Sequence, residues 1–159
     1  MIDPIRPTDD AAIALARALL DGARHAVLGT LDGEGFPHLS RIGLQTDEDG
    51  APLALLSGLA AHSRALAADP RAGLLLSEPD AAAKGSPLTR PRLSLQVVAR
   101  MLPPGDEARR VRWRERDPKS AVYLDLPDFR FWRLEPRSGL LNAGFGRAYR
   151  LTAAELMRR

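Results

Sequence analysis

The segment from Leu56 to Arg64 combines the residue types that proteins use to bind a phosphate group. An apolar run ends in Ser57-Gly58, and a helix can begin within the next few residues. Free backbone N–H groups, the helix dipole, a hydroxyl and a guanidinium would then meet at one point. The same residues also suit ordinary roles, with Ser57-Gly58 in a turn and Ser63-Arg64 on a solvent-facing helix surface. On the residues alone this second interpretation is the commoner one, because helix starts are more often capped than occupied by a ligand.

Arg41 is the second candidate for anion binding, because it lies between apolar residues within a predicted strand. Alternation puts Arg41 on the same side of that strand as Leu39 and Gly43, opposite Ile42 and Leu44. An arginine in this position either faces a ligand or extends along the rim of the sheet to reach water. The spacing does not choose between these roles.

Other catalytic and metal-binding patterns are missing from the sequence. It contains no cysteine, which excludes disulfides, thiolate catalysis and cysteine-ligated zinc or iron–sulfur sites. Its histidines lack the spacing of metal ligands and are expected to be structural or surface residues; they are His25, His38 and His62. No serine lies in a Gly-x-Ser-x-Gly elbow, and the glycines at 33–35 and 144–146 lack the third glycine of a dinucleotide-binding motif. We assign the first of these glycine pairs to a turn and the second to a strand.

The charged residues are mixed along the chain and form no concentrated basic patch. Among 23 basic residues only Lys84 and Lys119 are lysines, and 20 acidic residues are interleaved with the arginines, giving a net charge of +3. A nucleic-acid partner requires concentrated positive charge, so none is expected. The first residues lack the features of a secretory signal, and no apolar run is long enough to span a bilayer. A cytoplasmic protein without a membrane partner is the default expectation.

The first half of the sequence predicts a helix followed by an antiparallel meander. Thr8 is a suitable N-cap for a helix over about 8–21, with acidic residues in its first turn. Strands are predicted over 24–31, 36–46 and 52–57, separated by turns rich in aspartate and glycine. A short helix over 60–68 and a buried apolar strand over 72–77 follow.

The second half predicts further strands and one charged helix. A proline-rich loop over 78–91 precedes a strand at 92–100, in which alternate residues are apolar. A helix over 105–116, strands at 129–134 and 139–150, and a capping box opening a helix over about 152–158 complete the chain. This pattern indicates one mainly β domain over residues 1–159, a barrel or sandwich of six or seven strands with short α-helices.

The segment at 56–64 resembles the signature of the pyridoxamine 5′-phosphate oxidase-like FMN-binding split barrels, and most closely their haem-utilisation branch. The resemblance continues, in order along the family pattern, in Gly35-x-Pro37-His38-x-Ser40-Arg41, Ala68-Asp69-Pro70-Arg71-Ala72, Pro87-Leu88-x-x-Pro91-Arg92-Leu93-Ser94-Leu95-Gln96 and Gly144-Phe145-Gly146-Arg147-Ala148-Tyr149. Together these segments cover about residues 20–150. The fold that the resemblance implies is a six-stranded antiparallel split β-barrel, with the barrel over about 24–150.

The resemblance also implies a homodimer that holds FMN in the grooves between its two subunits. Arg41 and Ile42 would lie beside the flavin ring and phosphate. Gln96 of the partner subunit would reach the flavin from its long strand. The phosphate end would be held by residues around the start of the short helix, namely Ser57, Leu59, His62, Ser63 and Arg64.

Two departures from the family pattern bear on function. Some haem-degrading relatives use a histidine near the C-terminus as an iron ligand, whereas the last histidine of this sequence is His62. The residues with which pyridoxamine phosphate oxidases hold their substrate phosphate are not recognisable, so that particular reaction is not expected.

Two functions of different classes stay open on the sequence. The first is an FMN-dependent oxidoreductase acting on a small molecule, in which the flavin performs the redox chemistry and no catalytic residue is assigned. The second is a non-catalytic protein that binds FMN or haem as a carrier or sensor. Turnover of a reduced nicotinamide would favour the first, and tight binding without reduction would favour the second.

Overall fold

The computed structural model describes residues 3–78 and 85–157 of the chain. The strands in these ranges are β1 Ile5–Arg6, β2 His25–Leu31, β3 Pro37–Thr46, β4 Pro52–Ser57, β5 Arg71–Ser77, β6 Arg92–Met101, β7 Phe129–Asn142 and β8 Ala148–Thr152. The helices are α1 Asp10–Gly22, α2 Ala61–Ala68, α3 Glu107–Arg116, α4 Ala121–Leu124 and α5 Ala153–Leu156, with 3-10 turns at Pro87–Thr89 and Pro118–Ser120. None of the helices in these ranges is long and apolar enough to cross a bilayer. The predicted loop at 78–91 includes residues 79–84, and the predicted last helix includes residue 158, which lie outside the described residues.

The strands β2 to β7 close into a barrel. Antiparallel pairing runs in the order β7-β4-β3-β2-β5-β6, and β6 pairs in turn with β7, so the sheet returns to its first strand. β8 is added antiparallel to β7, and β1 is added parallel to β8. This closed six-stranded antiparallel barrel with short helices confirms the predicted mainly β split barrel.

Leucine side chains from all sides fill the barrel. The strands alternate, so that every second residue points inward, and Leu28, Leu44, Leu74, Leu95 and Leu134 are almost completely buried there. Helix α1 covers the barrel with its apolar side, and its residues join the same cluster of buried side chains. Burying one large aliphatic side chain contributes roughly 1.5–3 kcal/mol, so the many leucines of this cluster stabilise the fold strongly.

A second apolar cluster lies outside the barrel, beneath α3. Trp113 of α3 is 2% exposed and packs edge-on against Phe131, with 5.5 Å between the ring centroids. The amide of Gln45 donates a hydrogen bond to the Trp113 carbonyl at 3.0 Å. Helix α3 therefore covers part of the outer surface of β3 and β4, while Leu39 on β3 stays 68% exposed.

The predicted strands at 129–134 and 139–150 are wrong in their boundaries. β7 runs without interruption through Pro136. The register of its pairing with β6 shifts here, opposite Gln96 and Val97. Such an irregularity in the sheet tolerates a residue that has no N–H donor. The chain then turns, with φ of +123° at Gly144 and +67° at Gly146. These left-handed conformations suit glycine, so the assignment of the pair to a strand is also wrong.

Two smaller expectations also differ from the structure. The N-cap of α1 is Asp9 and not Thr8, since the Asp9 carboxylate accepts a hydrogen bond from the Ala12 backbone N–H. β5 is not a fully buried strand, because Leu74 and Leu76 point into the barrel whereas Leu75 is 45% exposed on the outer surface. The capping box at Thr152 and Glu155 is present as predicted.

Candidate functional site

The turn between β4 and α2 is built around Ser57, the last residue of β4. The Ser57 carbonyl accepts hydrogen bonds from the Ala60 N–H at 3.2 Å and from the Ser63 hydroxyl at 2.7 Å. The Ser57 hydroxyl oxygen accepts a third hydrogen bond, from the Leu59 N–H at 3.2 Å. Ser63 is buried, and its hydroxyl is used inside the turn. The polar groups that were predicted to bind a phosphate are therefore used to stabilise the turn itself, through hydrogen bonds among Ser57, Leu59 and Ser63.

Asp128 closes this turn from the neighbouring strand. The residue immediately precedes β7, whose first residue, Phe129, pairs with Ser57. The Asp128 carboxylate accepts the Ser57 hydroxyl at 2.5 Å, and its backbone carbonyl accepts the Gly58 N–H at 2.7 Å. A Cβ on Gly58 would lie 3.2 Å from the same carbonyl oxygen. Two donors at the end of β4 are thus taken by one acidic residue.

The open side of the turn still carries hydrogen-bond donors. Arg64 is exposed and donates from Nη1 to the Leu59 carbonyl at 2.8 Å, which leaves the other N–H groups of its guanidinium exposed. The backbone N–H groups of Ala61 and His62, in the first turn of α2, form no hydrogen bond within the described ranges. An anionic group could approach here without displacing the contacts made by Asp128.

His62 is half-buried beside β3. Its Nδ1 lies 3.2 Å from the Ser40 hydroxyl, and its Nε2 has no hydrogen-bond partner in the described part of the chain. Burial, followed by the positive charge of His38, lowers the pKa of His62 below 6.5. The imidazole is therefore mostly neutral at pH 7, the form in which it can bind a metal.

Arg41 and Ile42 point to opposite sides of β3. The Ile42 side chain is 5% exposed and belongs to the barrel core, so only its backbone can face a ligand. The Arg41 side chain is exposed on the outer surface, where it borders a hollow of about 220 Å³ together with His25, Leu75 and Glu78.

Gln96 lies on the outer surface of β6, at the edge of a larger groove. Its Oε1 accepts the Ser138 hydroxyl at 3.0 Å. The groove has a volume of about 540 Å³ and extends over β2, β5 and β6, with Gly29 and Gly73 among its lining residues. Its lining includes neither Arg41 nor Arg64.

Within one chain, the residues predicted to bind the cofactor lie in separate places. Ser57, Leu59, His62, Ser63 and Arg64 come together at the turn between β4 and α2. Arg41 and Gln96 lie on the outer barrel surface, and their strands β3 and β6 are separated by β2 and β5. Sequence reasoning missed Asp128, because nothing near it in the sequence relates it to Ser57.

The densest charged cluster fixes α3 to the turn between β3 and β4. Arg133 of β7 contacts Asp49 at 2.5 Å and Asp47 at 3.4 Å, and it also pairs with Glu135. Arg109 of α3 contacts Asp47 at 3.3 Å. The hydrogen bond from Arg133 holds the pKa of Asp49 below its usual 3.8. Within the described residues, no group of three or more histidine or acidic side chains is arranged to hold a metal ion.

Relatives of this chain are named for haem. The chain is 29% identical over 134 residues to "Heme oxygenase HutZ" of Vibrio cholerae, covering 82% of this chain and 75% of that protein. It is 31% identical over 138 residues to "Non-canonical heme oxygenase HOZ, chloroplastic" of Arabidopsis thaliana, again covering 82% of this chain. It spans only 41% of the Arabidopsis protein.

Solved structures agree on the fold. The structure of a heme binding protein from Mycobacterium smegmatis is 32% identical and superposes with a TM-score of 0.81, covering 96% of this chain and 61% of that one. The model of the family described as "Pyridoxamine 5'-phosphate oxidase" matches residues 13–142. This match includes all six barrel strands, and the chain therefore belongs to the pyridoxamine 5′-phosphate oxidase-like split-barrel family, close to its haem-utilisation branch.

Proposed function

We propose that this protein binds haem in preference to FMN. The observation that carries the proposal is the pair formed by Ser57 and Asp128, which puts a carboxylate where the resemblance to flavin-binding relatives would put a phosphate. The names of the relatives support the same direction, since two proteins that match 82% of this chain are called heme oxygenases.

The residues present fit FMN poorly at its phosphate end. A phosphate monoester carries nearly two negative charges at pH 7, and the Asp128 carboxylate beside it would repel them. The hydroxyls of Ser57 and Ser63 already donate to acceptors within the protein and would have to break those hydrogen bonds. Two predicted phosphate ligands are therefore occupied.

The residues present fit haem better. Haem carries two carboxylates, which arginine binds in a forked geometry, and both Arg41 and Arg64 have exposed guanidinium groups. His62 offers a mostly neutral imidazole whose Nδ1 is held by Ser40 while Nε2 stays free. A second group that fixes one ring nitrogen is typical of histidines that bind metal through the other. Haem would supply the iron chemistry, and His62 is the histidine best placed to hold it.

Reconstitution tests this proposal directly. Purified protein is mixed with haemin or with FMN in separate samples, desalted, and examined by absorption spectroscopy. We expect the haem absorption band to be retained and the flavin bands to be lost. Retained flavin together with lost haem would overturn the proposal. Loss of the retained haem band after ascorbate is added in air would further indicate haem degradation, and its persistence a carrier or storage role.

An FMN-dependent oxidoreductase acting on a small molecule is the second candidate. It is favoured by the open side of the turn, where Arg64 and the free N–H groups of Ala61 and His62 offer donors that Asp128 does not occupy. Oxidation of a reduced nicotinamide by the FMN-loaded protein would support this candidate.

We further propose that the protein acts as a homodimer. The outer surface of the barrel exposes apolar side chains on three strands, including Leu39 at 68%, Leu75 at 45% and Leu140 at 42%. A second copy packed on this surface would bury these leucines. Arg41 and Gln96 lie apart within one chain, and the second copy would bring its own Gln96 near Arg41 of the first. Light scattering at micromolar concentration should give the mass of a dimer, and a monomer would remove this part of the proposal.

A further inference from the structure

Two adjoining hollows lie between helix α3 and the end of β3. The first, which we call the α3 cleft, has a volume of about 400 Å³. Its lining residues are Arg24, Leu44, Gln45, Trp113, Arg116 and Asp117. The second hollow, of about 320 Å³, shares Gln45, Trp113 and Arg116 with the cleft and extends to the turn between β3 and β4. Gln45 lies five residues along β3 from Ser40, or roughly 17 Å, so the cleft is separate from the β4–α2 turn. It shares no lining residue with the groove over β2, β5 and β6.

The buried side chain of Gln45 uses only part of its amide group. Gln45 is 4% exposed, and its NH₂ group donates to the Trp113 carbonyl at 3.0 Å, which fixes the orientation of the amide. That carbonyl already accepts the Asp117 N–H at 2.9 Å, so the end of α3 does not require Gln45 as a donor. The amide oxygen, Oε1, forms no hydrogen bond with the described part of the chain. An amide oxygen removed from bulk water without a donor is unfavourable, and a donor on a bound molecule would satisfy it.

Two arginines at the cleft have guanidinium groups that no acidic side chain occupies. Arg24 donates from Nη1 to the Ala23 carbonyl at 3.2 Å, and Arg116 donates from Nη1 to the Thr46 hydroxyl at 3.4 Å. Neither arginine forms an ion pair within the ranges that the structure describes. Both are exposed, so their remaining N–H groups can reach a ligand. Guanidinium groups bind carboxylates through forked pairs of hydrogen bonds.

Asp117 is the acidic residue of the cleft, and it accepts the Tyr123 hydroxyl at 3.2 Å. The cleft thus carries two positive side chains and one negative side chain. The excess of positive charge favours an anionic group on the ligand. The oxygens of Gln45 and Asp117 are acceptors, and they favour a hydrogen-bond donor close to that anionic group.

We propose that the α3 cleft binds a small carboxylic acid that carries an O–H or N–H donor close to its carboxylate. Arg24 and Arg116 hold the carboxylate, and Oε1 of Gln45 accepts the donor. Hydroxy acids and amino acids share this chemistry. The volume of the cleft lies in the range of small-molecule sites in proteins. This site is independent of the proposed binding of haem or FMN.

Propionate, lactate and alanine are matched probes, because they carry no donor, a hydroxyl or an ammonium group beside the carboxylate. Each is titrated at constant ionic strength into the isotope-labelled full chain, and the indole N–H signals of Trp113 and Trp132 are followed by NMR. Trp132 belongs to the barrel core and serves as the internal reference. We expect lactate or alanine to shift the Trp113 signal to saturation and to bind about fivefold more tightly than propionate, since only they donate to Gln45.

Variants of the lining residues test each contact. Arg24→Gln and Arg116→Gln should each weaken binding about tenfold, the usual effect of losing a hydrogen bond to a charged group. Arg114→Gln is the matched control on α3, because Arg114 lines neither hollow, and it should bind like the wild type. Gln45→Leu should bind lactate and propionate equally, with the thermal midpoint recorded to show that it is folded. Arg24 and Arg116 are exposed, so their variants test the cleft even if Gln45→Leu does not fold.

The possible results either support the site or overturn it. Tighter binding of lactate than of alanine would support it and identify hydroxy acids as the ligand class, and the reverse would identify amino acids. A Trp113 signal that does not shift to saturation with any probe would overturn the inference. Equal affinity of the wild type for all three probes would also overturn it, because Gln45 would then select nothing. Wild-type affinity in both arginine variants would overturn it by assigning binding to another surface.

Discussion

The hydroxyl of Ser57 and the carboxylate of Asp128 are joined by a 2.5 Å hydrogen bond across 71 positions of the sequence. β-sheet pairing makes this contact, since Ser57 of β4 lies beside the first residue of β7. The pair places a negative charge at the start of α2, where the helix dipole would otherwise favour a bound anion.

Replacing Asp128 with asparagine should make FMN binding tighter. The Asp128→Asn variant keeps the size of the side chain but removes the charge that repels the phosphate, so we expect affinity to rise by tenfold or more, or about 1.4 kcal/mol. Titration followed by flavin fluorescence measures the change. Glu34→Gln removes an exposed negative charge from the turn between β2 and β3 and should leave the affinity unchanged. Unchanged or weaker FMN binding by Asp128→Asn would contradict the role given to this carboxylate.

Replacing Arg133 should lower the stability of the fold. The Arg133 side chain is 13% exposed and contacts both Asp47 and Asp49. Arg133→Met therefore leaves Asp49 without its main partner and removes one of the arginines around Asp47, which keeps its contact with Arg109. We expect the free energy of unfolding in urea to fall by about 2–3 kcal/mol, less than for a fully buried pair because Asp49 is partly exposed. Arg114→Met on α3 is the control, because Arg114 forms no ion pair with the described part of the chain, and it should change the free energy of unfolding by less than about 0.5 kcal/mol. A loss no larger than that of this control would show that the cluster is not stabilising.

The contribution of Asp49 should disappear in acid. Its pKa is lowered in the folded protein, so the stabilisation is complete above the usual value of 3.8 and is lost as the pH falls through the lower, folded value. At pH 7 the wild type should be more stable than Asp49→Asn, and the difference in free energy of unfolding should narrow between pH 4 and pH 2. Urea denaturation of both proteins across this range measures it, and a constant difference would refute the assignment.

His62 should titrate below pH 6.5. Burial is the larger cause, so the His38→Gln variant should raise the pKa of His62 without restoring it to the ordinary value. The folded state resists protonation of His62, so its contribution to stability is present above pH 6.5 and declines as the pH falls towards the folded pKa. NMR titration of the imidazole signals gives the midpoints. A His62 midpoint at or above 6.5 would show that the ring is not buried as described.

Replacing His62 with alanine should weaken the binding of haem. His62→Ala removes the imidazole held by Ser40, and we expect at least tenfold weaker retention of haemin together with a shifted absorption maximum. His25→Ala is the matched control, because His25 lies on the outer surface and away from the β4–α2 turn. Identical spectra for the wild type and His62→Ala would assign iron binding to another residue.

Local chemistry explains which parts of the fold could be predicted. The turns at Asp32–Gly35 and Asp47–Gly50 carry their own sequence signals, and the meander of β2, β3 and β4 is present as predicted. The alternation of Leu93, Leu95 and Val97 also places their side chains in the barrel, as expected. The continuity of β7 could not be predicted, because Pro136 resembles a strand end unless the pairing partner and its register shift are known.

The candidate site was less predictable because it depends on contacts between distant segments. The sequence singled out Ser57, Ser63 and Arg64 by type, but it could not show that the hydroxyl of Ser57 is taken by Asp128. The sequence also gave no indication that Gly29 and Gly73 line one groove on the outer barrel surface. Each is an isolated glycine within an apolar strand, and their relationship exists only once β2 and β5 pair.

The folding chain is protected from aggregation through its strand edges only after β7 has paired. This strand pairs with β4 on one side and β6 on the other, so without it both strands would present unpaired backbone edges. During synthesis on the ribosome, β2 to β6 emerge before residues 129–142. The edges of β4 and β6 that pair with β7 therefore stay exposed until β7 has been made. Mutations that delay pairing of β7 should therefore reduce the yield of protein in cells more than they reduce the stability of the purified, folded molecule.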